Sequence, residues 1–300
     1  MTSLTCDVCP RACRLEEGKT GYCGVRTSID GENRDLFYRW LYPSPPPFDF
    51  TDRVQHIEQV AYLPGCNLRC SFCVFPFLSS ATLIPTTFNL ISERELIDEA
   101  EAWSYAWLTF FGGEPTLHYE YVLEGARLCR ERNIKTLLAT NGYISPWLAE
   151  KLGPAVDLPV VGIKASASRE HYDERKADSM RVLEAARIFY ELNRDTRITD
   201  LIGPGLNATS KDDEWFGKWI CDNISPNIFV IITHLCHSGR PPDFSYASVS
   251  PPDEQMQRLY DTARRLTASG LANVGFFNLQ LQLMKWNYGE PRLACEVALP

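Results

Sequence analysis

The sequence contains no run of about 18 consecutive apolar residues, the length that a membrane-spanning helix requires. Its first residues, Met1 to Cys6, have neither the basic nor the apolar region of a secretory signal peptide. Basic residues are not in excess either, because 30 Lys and Arg stand against 38 Asp and Glu and give a formal net charge of -8. Broad nucleic-acid binding needs a basic footprint. These absences predict a cytoplasmic protein with no membrane partner and no evident nucleic-acid partner.

Cysteine, in contrast, is abundant, and seven of the eleven cysteines form two tight groups. Clustered thiols in a chain without an export signal are more typical of metal binding than of disulfides. The first group, Cys6, Cys9, Cys13 and Cys23, has the spacing C-x2-C-x3-C-x9-C, with glycines that permit tight turns. Four thiolates form a complete ligand set. This group therefore predicts a second metal site that holds zinc, iron or an auxiliary iron-sulfur cluster, in a structural or a redox role.

The second group is Cys66, Cys70 and Cys73, at a C-x3-C-x2-C spacing with Phe72 directly before the last cysteine. An iron-sulfur cube takes a ligand at each of its four irons, so three local thiolates leave one iron for an outside ligand. The alternative is a zinc knuckle completed by a distant Cys or His. No matching C-x2-C pair follows downstream, which favours the iron-sulfur interpretation.

From about residue 54 onward, short apolar runs alternate with helical patterns, as is typical of repeated βα units. The predicted strands are 57–63, 106–111, 134–140, 158–164, 197–202 and 228–235, with a further candidate at 273–277. The predicted helices are 92–103, 119–132, 145–152, 168–193, 211–223 and 252–269, the first with a capping box at Ser92 and Glu95. The pattern predicts an α/β fold, a partial TIM barrel (βα)6 over 54–300 with an N-terminal four-cysteine metal-binding extension. That extension and a proline-rich linker at 43–47 make up residues 1–53.

Residues that could bind a ligand or react follow almost every predicted strand, and the active sites of such barrels lie at these strand ends. In chain order these are Cys66, Gly112-Gly113-Glu114-Pro115, Thr140-Asn141-Gly142, Lys164, the segment 203–207 with Asn207, and the segment 234–240 with His234 and Cys236. Each could be an ordinary turn or a solvated loop when taken alone. Their recurrence at one predicted edge indicates a single site.

The motifs resemble those of the radical S-adenosylmethionine (SAM) superfamily, whose hallmark is C-x3-C-x-aromatic-C. The N-terminal Cys6-x2-Cys9-Pro-Arg-x-Cys13 and the later Gly-x-Cys-Gly-Val-Arg look like the start of radical SAM enzymes of the AmmeMemoRadiSam system. They also resemble pyruvate formate-lyase activating enzymes of similar layout. The resemblance covers nearly the whole chain.

The resemblance implies a role for each motif. Cys66, Cys70 and Cys73 would hold a catalytic 4Fe-4S cluster, and SAM would bind its open iron. Residues implied to contact SAM are Phe72 near the adenine, Gly112, Gly113 and Glu114 at the amino group, Thr140 and Asn141 in the pocket wall, Lys164 at the carboxylate, and His234 near the barrel mouth. The activating enzymes carry Asp-x-Lys where this chain has Gly162 before Lys164, so a contact from the acid is not expected.

The implied reaction is the reductive cleavage of SAM to methionine and a 5'-deoxyadenosyl radical, which abstracts a hydrogen from a substrate. The electron would come from a low-potential donor such as flavodoxin or ferredoxin. The substrate is expected to be a residue of a protein partner, as for glycyl-radical activation. A small metabolite or nucleobase is the alternative, and a non-catalytic iron-sulfur electron carrier is an alternative of another class. That last alternative leaves Gly112-Gly113-Glu114 and the βα alternation unexplained.

Overall fold

The computed structural model describes residues 3–35, 58–70, 72–73, 76–79, 92–164, 177–203, 209–234, 252–277, 283–287 and 290–293. Several sequence predictions lie outside these residues: the proline-rich linker at 43–47, Asn207, and Cys236 with the rest of 235–240. The predicted boundary between 1–53 and 54–300 lies outside them too and stays a prediction.

A nine-stranded sheet forms the centre of the fold, and its seven parallel strands follow one another in chain order. The parallel strands are β5 (Glu58–Leu63), β6 (Trp107–Gly112), β7 (Lys135–Thr140), β8 (Leu158–Lys164), β9 (Arg197–Ile202), β10 (Phe229–His234) and β11 (Asn273–Phe277). Two antiparallel strands, β12 (Leu283–Asn287) and β13 (Glu290–Leu293), extend the sheet beyond β11. The seven parallel strands confirm the predicted partial barrel, and the candidate strand at 273–277 is its seventh.

Helices connect the parallel strands, as the alternating pattern predicts. They are α1 (Pro76–Ser79), α2 (Glu93–Ala102), α3 (Tyr119–Glu131), α4 (Pro146–Leu152), α5 (Ser179–Leu192), α6 (Ser210–Asn223) and α7 (Pro252–Ala268), with a 3-10 helix at Pro115–His118 before α3. The predicted capping box of α2 is present, since the Ser92 and Glu95 side chains each accept a backbone N–H of the other. The predicted helix 168–193 is interrupted before Ser179, because Asp178 is an extended N-cap whose side chain accepts Met180 N. Residues 168–176 of this prediction lie outside the described part of the chain.

The two faces of the parallel strands pack against different partners. In β8, Val161 and Ile163 join the main core between sheet and helices, whereas Leu158 and Val160 pack inside the barrel. Because successive side chains of a strand point to opposite faces, Gly162 and Lys164 share the inner face with Val160. Apolar side chains therefore line the barrel interior near the start of β8, and Gly162 and Lys164 line it near the end of this strand.

The N-terminal module consists of two antiparallel pairs, β1 (Leu4–Thr5) with β2 (Arg14–Leu15) and β3 (Arg26–Ile29) with β4 (Glu32–Asp35). Its Val8, Leu15 and Val25 belong to the same hydrophobic core cluster as the barrel strands and helices.

A buried ion pair fastens the module to α3. The Arg26 guanidinium is almost fully buried and makes two hydrogen bonds with the Glu120 carboxylate, at 2.8 Å and 2.9 Å, and donates to Leu117 O. A charge-assisted bidentate pair of this kind fixes direction as well as distance. The module is thus oriented against the element that follows Gly112-Gly113-Glu114.

A second buried pair joins β4 to the 3-10 helix. His118 Nδ1 lies 2.6 Å from Asp35 Oδ2 and its Nε2 lies 2.7 Å from Pro64 O. Both partners are acceptors, so both ring nitrogens must carry a proton for the two bonds to form together. Burial opposes this charge, but the Asp35 carboxylate and the Pro64 carbonyl raise the pKa of His118 above its ordinary value of 6.5, against the repulsion of Arg26.

The His118–Asp35 pair predicts that the unfolding free energy of the protein decreases at alkaline pH. Because the folded pKa of His118 is raised, its stabilisation is complete below the ordinary value of 6.5 and disappears as the pH rises through the folded value. We expect the difference in unfolding free energy between wild type and His118→Gln to shrink steadily from pH 6 to pH 9 (about the range in which a raised histidine titrates). Urea denaturation at each pH measures it, and a difference that stays constant would refute the assignment of an imidazolium.

Candidate active site

The cysteine loop begins directly after β5, at the carboxyl edge of the sheet. Gly65 has a φ of +78°, and a Cβ at this position would lie 2.4 Å from Val25 Cγ1 and 2.9 Å from Cys23 O. Only glycine fits both the left-handed backbone and this close approach. Cys66 is buried, while Cys70 and Cys73 are half-buried, so the three thiols span the change from core to surface.

The glycine pair after β6 is pressed against the cysteine loop. Gly113 N donates to Leu63 O at 2.8 Å, and Glu114 N donates to Gly65 O at 2.8 Å. A Cβ on Gly113 would lie 2.0 Å from Gly65 O, which is far inside any permitted contact. The absence of a side chain at Gly113 therefore allows the close approach of Gly65, the residue before Cys66. A contact of Gly113 with SAM would be a second role.

Glu114 is fully buried and its carboxylate joins two strand ends. Oε1 accepts Thr116 N, Thr116 Oγ1 and Thr140 Oγ1, at 3.1, 2.6 and 2.7 Å, and Oε2 accepts Asn141 N at 2.7 Å. Oε1 thus accepts three donors and Oε2 only one, so the less occupied Oε2 has room for a further donor. Glu114 thus holds the Thr140-Asn141 turn in place and can accept one additional hydrogen bond.

The cysteine loop is strongly anionic once its thiols ionise. Burial, followed by the nearby Glu114 charge, raises the pKa of Cys66. Burial also raises the pKa of Glu114, although its four hydrogen bonds act in the opposite direction. Metal binding offsets the cost of burying these charges, because each thiol releases its proton and binds the metal as a thiolate. Three soft donors beside a buried carboxylate fit an iron-sulfur cube together with a cationic ligand.

Asn141 faces the cysteine loop. Its Nδ2 donates to Asn67 Oδ1 at 2.8 Å and to Cys66 Sγ at 3.6 Å, and its Oδ1 accepts Tyr143 N at 2.8 Å. The Thr140 hydroxyl accepts Gly142 N in addition to its bond with Glu114. The structure places Asn141 against Cys66 and Thr140 against Glu114, and the predicted contact of both residues with SAM stays a prediction.

The remaining predicted residues lie at the same edge. Lys164 pairs in register with Leu201 of β9, whose next residue, Ile202, pairs with His234 of β10. Lys164 and His234 are half-buried. A Cβ on Gly162 would lie 3.1 Å from Lys164 Nζ and 3.4 Å from Thr199 Oγ1, so the lysine bends over the barrel interior. Lys164 Nζ therefore lies next to the position that the Cβ of a larger residue at 162 would take. Phe72 is half-buried within the cysteine loop.

The four N-terminal cysteines also lie together. Cys6 N donates to Cys13 O at 2.8 Å, Tyr22 N lies 3.4 Å from Cys13 Sγ, and the charge of Cys23 acts on Cys6 and Cys9. Burial raises the pKa of Cys9 to about 12, so in the absence of a metal this thiol keeps its proton, and a bound metal would have to displace it. Within the part of the chain that the structure describes, no three Cys, His, Asp or Glu side chains have the geometry of a single-ion site. The metal of this module stays a prediction.

The structure adds residues that the sequence did not single out. Asn67 is fully buried inside the cysteine loop, and its Nδ2 donates to Tyr143 O at 2.6 Å. Its position directly after Cys66 is the only sequence signal that could have indicated it. The partners Arg26–Glu120 and His118–Asp35 are separated by 94 and 83 positions, so no local pattern could have shown them.

A sequence model of the Radical SAM superfamily matches residues 60–213, which include the triad, the glycine pair, Thr140-Asn141 and Lys164. The chain belongs to the radical SAM superfamily. Membership implies a 4Fe-4S cluster and SAM. That Cys66, Cys70 and Cys73 hold this cluster stays a prediction. Of the cysteines outside the two groups, Cys129 is buried and Cys221 is half-buried.

Relatives of this radical SAM enzyme include an uncharacterized protein of Methanocaldococcus jannaschii, 26% identical over 256 residues that make up 83% of this chain and 74% of that protein. The pyruvate formate-lyase-activating enzyme of Streptococcus mutans is 23% identical over 184 residues, 55% of this chain and 66% of the relative. The chain thus spans slightly under two thirds of the activating enzyme. Relatives named as activating enzymes identify the chain as an enzyme.

Among solved structures, SuiB of Streptococcus suis bound to its precursor peptide SuiA is similar, with a TM-score of 0.56 and 18% identity. The match covers 75% of this chain and 50% of SuiB. This likeness confirms the partial-barrel fold. Among the described residues, no helix is long and apolar enough to cross a membrane.

Proposed function

We propose that this enzyme uses the radical derived from SAM to abstract a hydrogen from a residue of a peptide or protein. The observation that carries the proposal is its similarity to enzymes with such substrates. The Streptococcus mutans relative is named for the activation of pyruvate formate-lyase, and SuiB is bound to a precursor peptide. When bound, the reduced cluster supplies the electron that cleaves SAM, and a flavodoxin- or ferredoxin-like protein is the proposed donor.

The residues at the strand ends support this chemistry by binding and positioning. Cys66, Cys70 and Cys73 would hold the cluster, and the free acceptor site on Glu114 Oε2 would take an N–H of the SAM amino group. Lys164 Nζ would pair with the SAM carboxylate, and Phe72 and His234 would line the remainder of the pocket. Buried hydrogen-bonded groups of this kind hold reactants in one orientation and keep water away.

Small residues line the inner face of the barrel beyond its apolar layer, where a substrate is proposed to bind. Thr109, Ala139, Gly162 and Thr199 are small, and each lies on the inner face of a different parallel strand. At Gly162 the place of a side chain is taken by Lys164 Nζ and Thr199 Oγ1, which lie 3.1 Å and 3.4 Å from the position of a Cβ. A peptide side chain or a peptide turn could enter above it.

Replacing Lys164 by methionine tests the proposed carboxylate contact. Loss of one charge-assisted hydrogen bond, about 1.5 to 3 kcal/mol, should raise the KM for SAM about tenfold or more. The cluster should load normally, because Lys164 is not a ligand. The control is Lys135→Met, at the opposite end of the strands, where an exposed lysine pairs with Asp157 at 2.8 Å. Equal KM values in the two variants would remove Lys164 from the SAM site.

The substrate class is tested with anaerobically reconstituted enzyme, SAM and dithionite. The rate of 5'-deoxyadenosine formation is measured alone, with the protein fraction of a cell extract, and with its small-molecule filtrate. A peptide or protein substrate predicts stimulation by the protein fraction that protease removes and nuclease does not. Stimulation by the filtrate would favour a metabolite, and nuclease sensitivity would favour a nucleic acid. Cys70→Ala, which lacks a cluster ligand, is the blank for every arm.

A further inference from the structure

An exposed tyrosine lies between two arginines where the N-terminal module meets the cysteine loop. Tyr22 is 42% exposed, and its ring centre lies 3.7 Å from the guanidinium carbon of Arg11 and 4.7 Å from that of Arg69. Both distances are within the range of a cation–π contact. Tyr22 and Arg11 belong to the N-terminal module, whereas Arg69 belongs to the cysteine loop. These three residues form a small surface that we call the Arg–Tyr–Arg patch.

Hydrogen bonds hold both arginines of the patch in place. Arg69 donates to three backbone carbonyls, those of Tyr22 at 2.7 Å, Leu68 at 2.9 Å and Cys66. Arg11 Nε donates to Asn67 O at 2.5 Å, from the module to the cysteine loop. These acceptors are neutral, so the bonds fix the guanidinium groups without cancelling their charges. A partner that binds the patch therefore loses little affinity to the ordering of these side chains.

The arrangement brings two positive charges to one aromatic ring. Like charges at this separation repel each other in the free protein. The acidic side chains of the module's own surface are engaged elsewhere, since Glu16 pairs with Lys19 at 2.6 Å and Glu17 accepts Asp30 N at 2.9 Å. A partner with surface carboxylates would relieve the repulsion. The patch therefore suits an acidic partner.

The patch adjoins the more exposed part of the triad. Arg69 directly precedes Cys70, and Cys70 and Cys73 are half-buried whereas Cys66 is buried. Only one peptide bond separates the patch from a predicted ligand of the cluster. A protein seated on Tyr22 would thus lie against the side of the cysteine loop that is closest to solvent.

We propose that the Arg–Tyr–Arg patch is the docking surface for the electron donor, and that this donor is a small acidic one-electron carrier of the flavodoxin or ferredoxin kind. The cofactor of the donor is oxidised by one electron, and the cluster on the triad is reduced by one. No bond forms or breaks in this step. The inference rests on the proposed function and adds the surface at which its electron donor binds. It gives the N-terminal module a role that does not depend on the metal that its cysteines hold.

Size and charge favour an electron-transfer protein over other partners. Encounters between electron-transfer proteins use small interfaces, often under about 1,200 Å². Tyrosine and arginine are enriched among the residues that dominate binding energy. An RNA strand could also contact arginines and stack on a tyrosine. Broad nucleic-acid binding needs an extended basic footprint, however, and this chain has a net charge of -8.

The first test compares two reductants in the reconstituted enzyme. SAM cleavage is driven either by reduced flavodoxin at varied concentration or by excess dithionite. Arg11→Gln and Arg69→Gln should each lower kcat/KM for flavodoxin about tenfold at low salt, because electrostatic steering is lost. High salt should reduce this difference, since it screens surface charges. Iron content and the rate with dithionite should equal those of wild type.

The control is Arg130→Gln, at the far end of α3, because this exposed arginine also donates to backbone carbonyls, those of Pro154 and Ala155. It should equal wild type with both reductants. Equal kcat/KM values for flavodoxin in wild type and the patch variants would overturn the proposal. An equal loss with dithionite would overturn it too, because the arginines would then support the cluster itself. If Arg69→Gln does not load its cluster, Arg11→Gln and Tyr22→Leu, both outside the cysteine loop, provide the same measurement.

The second test locates the donor without turnover. Hydrogen exchange of the reconstituted full chain is measured with excess oxidised flavodoxin and without SAM. Peptides that cover residues 11–23 and 66–73 should be protected, and peptides from α5 should not. No protection of these two segments would overturn the proposal, and so would protection by single-stranded RNA but not by flavodoxin. Failure of the proposed function is distinct, because it appears as wild type that forms no 5'-deoxyadenosine even with dithionite.

Discussion

A Gly113→Ala variant is expected to take up little iron and sulfide at the triad and to cleave no measurable SAM. The added Cβ would lie 2.0 Å from Gly65 O and 2.8 Å from Gly65 C, and both are backbone atoms. A flexible side chain could move aside, but this backbone is held by Gly65 N donating to Leu78 O and by Glu114 N donating to Gly65 O. The cysteine loop must therefore shift, at a cost of about 3 kcal/mol or more.

Iron and sulfide content, the yield of 5'-deoxyadenosine and the urea midpoint together measure this effect. Gly31→Ala is the control, since Gly31 also has a left-handed backbone, with a φ of +75°, but a Cβ there meets nothing within 4 Å. It should cost about 1 kcal/mol from backbone strain alone and load normally. Normal iron content in Gly113→Ala would show that the glycine is not required for the close approach.

A Glu114→Ala variant is expected to lose about 3 to 5 kcal/mol of stability and nearly all affinity for SAM. Its removal leaves four donors without an acceptor: the N–H and hydroxyl of Thr116, the hydroxyl of Thr140 and the N–H of Asn141. Buried donors without partners each cost about 1 to 3 kcal/mol, although part of the strain relaxes. The Thr140-Asn141 turn would move, and with it the Asn141 bond to Cys66.

The Glu114→Gln variant nearly keeps the shape of the side chain and removes its charge. The amide keeps one acceptor oxygen, but its NH2 group faces a donor, so an intermediate loss is expected. Glu124→Ala is the control, because this half-buried residue pairs with Arg127 at the surface and its loss should change the unfolding free energy by less than about 0.5 kcal/mol. The measurements are chemical denaturation and equilibrium binding of SAM to the reconstituted enzyme. A Glu114→Ala enzyme with wild-type SAM affinity would contradict the assignment.

The sequence predicts the parallel sheet well, because apolar strands and amphipathic helices carry their own periodicity. The predicted strand 158–164 coincides with β8, and the predicted helix 119–132 differs from α3 by one residue. The prediction of one continuous helix over 168–193 was wrong at Asp178, because this extended residue caps α5, which begins at Ser179. The antiparallel strands β12 and β13 were not predicted, because two short strands of four and five residues carry little pattern.

The candidate site was predictable as far as spacing defines it. The triad and Gly112-Gly113-Glu114 are local motifs that identify their own chemistry. The Asn67–Asn141 contact joins residues 74 positions apart, and asparagines are common in turns. Only the packed structure shows that these two side chains meet beside Cys66.

The ion pairs Arg26–Glu120 and His118–Asp35 also set an order of events during synthesis. The four cysteines emerge first from the ribosome, but the module cannot reach its final position until residues 118 and 120 have followed. At about 5 to 20 residues per second, the four thiols would wait for several seconds before their neighbours arrive. During that interval they are exposed to oxidation and to competing metals. Cluster assembly is therefore expected to occur after translation, on a chain whose cysteines have been kept reduced.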